Sequence, residues 1–507
     1  MYCEILLMRK LQKLSKVSLG GLTSKGIQIP KFDIGSVQKR VLHLGFNQDP
    51  GAKQILYFDD YLTIDSDWAI CGASIESKTN SSMLQWKVQD CLYTVINRKT
   101  GAAPRCRVVG AVRDFINREF QQKGILEGLA HPEMKMLLLS QTQGAGLHVA
   151  DGNLDVSSPE IQHDLKNIHN PMTLEGYLIH GFLMKKKEHL KPFTTIILDN
   201  FYNNGVELKK WVLQMAHEID PELEKWIEGE ASFPNSFVDR VVYEKEEEKS
   251  FIERKYGVID EFAISTENYM RWVLEDNFCN EKPDLSKVGV LVTNDVTPYY
   301  RMKTQLMDGS LTCLCFFSSM MGFRTVKEAT DNKQISALLQ RYFKETLNTL
   351  TRFEGYKVES YPEVVLERFN SSEKSYLMSF IGRTGLERIK QFILEPMKLQ
   401  LSRRLDSEAG VLCIASWIAF TSGRWTKESS DDHKASDAEK ELQVMAKAVI
   451  ESENCDPIDI IRNKLDKQLA EDGEFVERVR KHLVYFKKNG VAATLAEALA
   501  QPVSSHV

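Results

Sequence analysis

The chain has 507 residues, of which 43% are hydrophobic and 27% charged, and its formal net charge is -5. That length exceeds one ordinary core, so two domains are expected, and the composition excludes disorder over most of the chain. With no basic excess and no basic patch interleaved with aromatics, nothing points to nucleic acid. No apolar run reaches the length of a membrane span.

The first residues, MYCEILLMRKLQKLSK, are basic and their apolar run is too short for a secretory signal. A simple N-terminal helix is the plain reading and an organelle-targeting helix the alternative. Residues 38–46 and 68–75 read as two buried strands, the first ending in a glycine turn, with a helix between them over AKQILYFDDYL. This is a βαβ unit. Further apolar runs follow at VRDFI, at 134–140, at 193–200 and at 287–292. Continuous runs of this kind, separated by helical stretches, predict a parallel sheet covered on both faces. The run EKEEEKSFIERK at 244–255 reads as an exposed helix face or loop.

After about residue 300 strand-like runs nearly vanish, and apolar residues recur at i, i+3, i+4 and i+7. The polar stretch 426–441 reads as a solvated loop or the start of a helix. The expected architecture is an α/β, doubly wound Rossmann-like N-terminal half followed by an all-α C-terminal half. The expected boundaries are 1–37 for an N-terminal extension, 38–295 for a dinucleotide-binding domain and 296–507 for a helical substrate domain. The nine cysteines are scattered and several lie in apolar runs such as LTCLCFF. Buried free thiols in a reducing, cytoplasmic compartment are expected. With no CxxC, no HExxH and no His/Cys cluster, no metal is expected.

The glycine turn is an incomplete phosphate-binding fingerprint. Gly45 is present, but Asn47 takes the second glycine position and Asp49 adds a negative charge. Five further segments, in order, are LDNFYNNG at 198–205, SFPNSFVDRVV at 232–242, RWVLEDNF at 271–278, YYRMKTQLMDGSLT at 299–312 and VVLERFN at 364–370. Together they resemble the mannitol dehydrogenase family of long-chain polyol dehydrogenases and hexuronate reductases, from about Leu42 to about Trp417. FPNSFVDR is the most specific single match.

The resemblance implies a metal-free NAD(P)-dependent oxidoreductase that interconverts a secondary alcohol and a ketone on an open-chain sugar. It implies a small-molecule substrate, with neither nucleic acid nor membrane as partner, and a monomer or homodimer. The family motif K-x-x-x-x-N-G-x-H supplies a base, an oxyanion donor and a substrate-holding histidine. Here Lys303 matches the base and Gly309 the glycine, while Asp308 replaces the asparagine and Leu311 the histidine. Asn200 matches the other oxyanion donor. Asp239 and Arg240 match residues bordering the cofactor and substrate cleft, Arg240 on the substrate side. Gly45, Phe46 and Asn47 fall on the cofactor turn, Thr142 on a retained cofactor segment, and Ser77 and Lys78 where the ribose is read. A lysine there suits a ribose phosphate, so the cofactor is NAD or NADP, with Lys78 favouring NADP.

Each residue also has a structural reading. Lys303 could pair with Asp308 or Asp295, Asn200 could cap a helix, Asp239 and Arg240 could form a salt bridge, Leu311 could be core, and His43 a tolerated core residue. An aspartate cannot donate to an oxyanion unless protonated, and Leu311 offers no polar grip. Two functions therefore compete: an oxidoreductase with an altered, less polar substrate, and a catalytically impaired descendant acting as a binding or scaffold protein.

Overall fold

The computed structural model describes residues 11–75, 81–99, 101–140, 152–243, 247–353, 356–371, 384–425 and 436–500. The chain divides into two compact units, Met1–Thr297 and Pro298–Val507. The described strands, in chain order, are β1 (Gln12–Lys13), β2 (Val41–Leu44), β3 (Ile70–Ser74), β4 (Tyr93–Arg98), β5 (Arg105–Val109), β6 (Val112–Asn117) and β7 (Met136–Leu139). They continue with β8 (Thr194–Ile197), β9 (Ser236–Asp239), β10 (Val242–Tyr243), β11 (Val258–Ile259), β12 (Ile264–Glu267), β13 (Arg271–Glu275) and β14 (Leu291–Thr293).

Five strands form one parallel sheet in the order β6-β3-β2-β7-β8. Counted within this sheet, the order is third, second, first, fourth, fifth, which is the doubly wound Rossmann arrangement. The strand order reverses between β2 and β7, so the cofactor crevice of such folds opens at their carboxyl ends. Successive residues of β2 serve opposite faces: Val41 joins one apolar core, Leu42 and Leu44 the other. Both faces are dry, which is why these strands read as continuous apolar runs. His43, on the same strand, is fully buried and pairs with Ser140 Oγ at 2.8 Å. Burial pushes its pKa down to about 3, so the ring is neutral.

The rest of the first unit departs from the sequence expectation. A four-stranded sheet, β10-β12-β4-β5, and a three-stranded sheet, β14-β13-β9, accompany the parallel one. The run at 287–292 was expected to hold a short strand; the strand starts at Leu291 and pairs with β13. In the four-stranded sheet β12 pairs with β4 across about 170 residues of chain, Ile264 opposite Val95. The N-terminal arm is part of this unit. β1 pairs with β11, Gln28 bridges Arg107 on the edge strand β5, and Leu14, Leu19, Leu22 and Ile27 share a core with Ile96 and Val108. The acidic run forms helix Glu247–Tyr256 with an exposed polar face, except that Glu248 is fully buried and salt-bridged to Arg98.

In the second unit helices carry the fold, and among the described residues no strand follows β14. Gly309–Met320 and Glu408–Thr421 are buried on nearly every face. Lys333–Leu347 and Gly473–Asn489 are amphipathic and bury one stripe. Their starts are set by side-chain caps: Asn332 accepts from the amides of Gln334 and Ile335, and Asp472 from that of Phe475. The eight described cysteines are free thiols, and six of them, including Cys313, Cys315 and Cys413, are buried. No helix among the described residues is long and apolar enough to cross a membrane.

Candidate active site

In the first unit the turn after β2 brings Gly45, Phe46 and Asn47 to the switch point. Gly45 has φ +72°, and a Cβ there would lie 2.2 Å from the Ser140 carbonyl oxygen at the end of β7. Only glycine fits so close a backbone approach in that conformation. The Phe46 ring faces the protein interior. It is buried in the core, edge-on to His43, Trp86 and Phe115, and its amide donates to the Ala73 carbonyl. The Phe46 side chain therefore serves core packing. The Asn47 side chain accepts from the Asp49 amide at 2.9 Å, which shapes the turn. The negative charge of Asp49 is met by Lys53 at 2.6 Å. Ser77, Lys78 and Thr142 lie outside the described residues.

Three asparagines from the motif segments lace β9 to the turn after β8. Asn200 donates to the Val238 carbonyl at 2.7 Å and accepts from the Val238 amide at 3.0 Å. It therefore clamps a strand and does not cap the following helix. Asn204, buried, bridges Asp199 and Ser236. Asn235 accepts from the Gly205 amide at 2.9 Å, at the start of helix Asn204–Ile219, and is itself held by Glu275. Asp239 is buried on β9 opposite Arg271.

Arg240 makes no ion pair with Asp239. Its guanidinium donates to Thr266 Oγ1 at 2.6 Å, to the Glu267 carbonyl at 3.2 Å and to Asn97, and burial lowers its pKa to about 10. With these contacts it ties the β9 end to β12 and β4.

In the second unit Lys303 and Asp308 are brought together. Lys303 ends helix Thr297–Lys303, Thr304–Asp308 is one π-helical turn, and Gly309–Met320 continues. In a regular α-helix five residues carry a side chain about 140° around the axis, away from its partner. The wider π turn brings the fifth residue back, and Nζ of Lys303 donates to Oδ2 of Asp308 at 2.7 Å. Both side chains keep about a sixth of their surface exposed, 17% and 16%, so the pair is accessible and not sealed in the core. Leu311 is 4% exposed and packs as core.

Arg388, absent from the sequence expectations, donates to the Asp308 carbonyl and to Thr312 Oγ1, each at 3.1 Å, with its guanidinium over the Phe392 ring. It lies within a stretch legible only as an amphipathic helix. The five-residue spacing of Lys303 and Asp308, which no single α-helical face accommodates, was the available signal for the π turn.

A parallel sheet in this order, with a glycine turn at the carboxyl end of its first strand and a second helical unit, is the plan of a nucleotide-dependent dehydrogenase. Comparison with known proteins narrows that class. Residues 39–287 match the mannitol dehydrogenase Rossmann domain, and residues 295–486 match the mannitol dehydrogenase C-terminal domain. The D-mannonate oxidoreductase of Escherichia coli (strain K12) is 31% identical over 400 residues, 78% of this chain and 82% of that protein. The polyol:NADP oxidoreductase of Gluconobacter oxydans (strain 621H) is 29% identical over 80% of this chain and 85% of its own. A crystal structure of substrate-free D-sorbitol dehydrogenase superposes with a TM-score of 0.86 at 25% identity, covering 96% of this chain and all of that one. The chain belongs to the mannitol dehydrogenase family and is an oxidoreductase of that group.

Proposed function

We propose that this protein is an NAD(P)-dependent oxidoreductase that interconverts a secondary alcohol and a ketone on a polyol-like substrate less polar than an ordinary sugar alcohol. Lys303 is its base. The observation that carries this reading is the Lys303–Asp308 pair, held at 2.7 Å in a dedicated π turn while remaining partly exposed.

The first unit fits a dinucleotide. The strand order supplies the switch point, Gly45 leaves the turn without a blocking side chain, and Lys53 neutralises Asp49 beside it. Backbone groups of Gly45 and Asn47 would border the pyrophosphate, and Lys78 favours a ribose phosphate, hence NADP. When bound, the nicotinamide ring accepts or returns hydride.

The chain's own residues handle the proton. In the oxidative direction Lys303, once it has released a proton, takes the one on the substrate hydroxyl as the carbon loses hydride. Asp308 orients the amine through its hydrogen bond. Asn200, which the family resemblance makes an oxyanion donor, spends one amide hydrogen on Val238 and has a second to donate. Leu311 contributes no hydrogen bond, which is the reason for expecting a less hydroxylated substrate.

A second reading, a catalytically impaired binding or scaffold protein, draws on the same site, because Asp308 and Leu311 stand where the family motif has an asparagine donor and a histidine. The test is turnover. Purified full-length chain is mixed with NADPH or NADH and a panel of open-chain ketoses, ketouronates and less hydroxylated ketones, and nicotinamide absorbance is followed. Consumption with at least one ketone is expected, fastest with the less hydroxylated ones. Cofactor binding without turnover of any of them would favour the scaffold reading.

A further inference from the structure

We infer that Tyr342 is the positioning residue that holds the π turn, and through it the Lys303–Asp308 pair, in register. The inference rests on the reading of Lys303 as the base. In an α-helix the Gly309 amide would donate to the Gln305 carbonyl, four residues back. Here it donates to the Thr304 carbonyl instead. The Gln305 carbonyl thus loses its α-helical donor, and Tyr342, reaching over from helix Lys333–Leu347, donates its hydroxyl to it at 2.8 Å. Tyr342 and Gln305 are 3% and 5% exposed, so bulk water does not stand in readily for this bond.

Gly309 is the other half of the device. A Cβ at this position would lie 2.1 Å from the Tyr342 hydroxyl oxygen and 3.2 Å from the Phe392 carbonyl oxygen. The missing side chain is what admits the hydroxyl. At the far end of the turn the Asp308 carbonyl accepts from Thr312 Oγ1 at 2.8 Å and from Arg388 at 3.1 Å. The turn is therefore fastened at both ends by side chains from outside it. Without the Tyr342 bond the extra residue of the turn is free to shift along the helix, and a return to α-helical pairing would carry Asp308 about 140° away from Lys303. The hydroxyl touches neither member of the pair. It acts on them through the backbone.

The test uses full-length protein in four forms: wild type, Tyr342→Phe, Gly309→Ala and the double variant. Tyr342→Phe keeps the ring and removes only the hydroxyl. Its kcat is expected to fall about tenfold or more, as small misplacements of reacting groups do, with nicotinamide affinity held within about twofold. Gly309→Ala is expected to lower the melting temperature sharply in the wild-type background. In the Tyr342→Phe background, where the hydroxyl is gone and the nearest atoms are the ring carbon at 3.1 Å and the Phe392 carbonyl oxygen at 3.2 Å, the drop should be smaller. A Tyr342→Phe protein that melts lower but keeps its kcat per folded molecule would overturn the positioning role. If the wild type turns over no substrate, the proposed activity fails separately, and the melting temperatures alone judge the geometry. Non-additive effects of the two substitutions support it and additive ones overturn it.

Discussion

Lys303→Met is expected to lower kcat/KM for the best substrate by about 10²–10⁴-fold, the usual contribution of a positioned general base. Methionine keeps the length and apolar stem of lysine and removes only the amine. Packing in helix Thr297–Lys303 should survive, apart from a modest loss of stability from leaving the mostly buried Asp308 without its 2.7 Å partner. Nicotinamide affinity should stay within about twofold, because the glycine turn after β2 is left unchanged. Small primary amines added to the variant should restore part of the rate, since they supply the lost proton acceptor. Steady-state kinetics with and without added amine check this. A variant as fast as the wild type would remove Lys303 from the chemistry.

Gly45→Ala is expected to be nearly as damaging, by a different route. The new methyl group would sit 2.2 Å from a backbone oxygen, that of Ser140, and no flexible side chain is available to move aside. Relief requires β2 and β7 to separate at the switch point. The residue also keeps φ at +72°, where an L side chain costs roughly 1–2 kcal/mol by itself. Together, strain and overpacking should destabilise the first unit by about 2–5 kcal/mol. Nicotinamide binding should weaken at least about tenfold, a loss of roughly 1.4 kcal/mol. Gly101→Ala is the matched control: φ there is +74°, and a Cβ would meet nothing within 4 Å. Urea unfolding followed by tryptophan fluorescence should show a small shift for Gly101→Ala and a large one for Gly45→Ala. Equal shifts would mean that backbone conformation alone, and not the approach of Ser140, makes position 45 a glycine.

The parallel sheet was legible in the sequence because β2, β7 and β8 are buried on both faces and read as short, mostly apolar runs. The helical second unit was legible from its 3.6-residue periodicity. The two smaller sheets were not. β4 finds β12 across about 170 residues, and β9 finds β13 by antiparallel register, pairings that local patterns do not encode.

The site divides in the same way. Residue types and their order pointed to Lys303, Asp308, Asn200 and Gly45. What the side chains are attached to was hidden. An asparagine that grips a strand backbone, as Asn200 does, has the same donor and acceptor as one that grips an oxyanion. Phe46 looked like part of a cofactor turn because it follows Gly45, yet the turn rotates its ring into the core between Trp86 and Phe115. The contact of Lys303 with Asp308 depends on one π turn, and that turn depends on Tyr342, 37 residues beyond Gln305.

The central claim is that this family member retains a working nicotinamide site. Calorimetric titration of the purified full-length chain with NADPH, NADP⁺, NADH and NAD⁺ tests it most directly. Saturable one-site binding is expected, tighter for the phosphorylated pair. Absence of binding by all four, with the protein folded, would contradict the account.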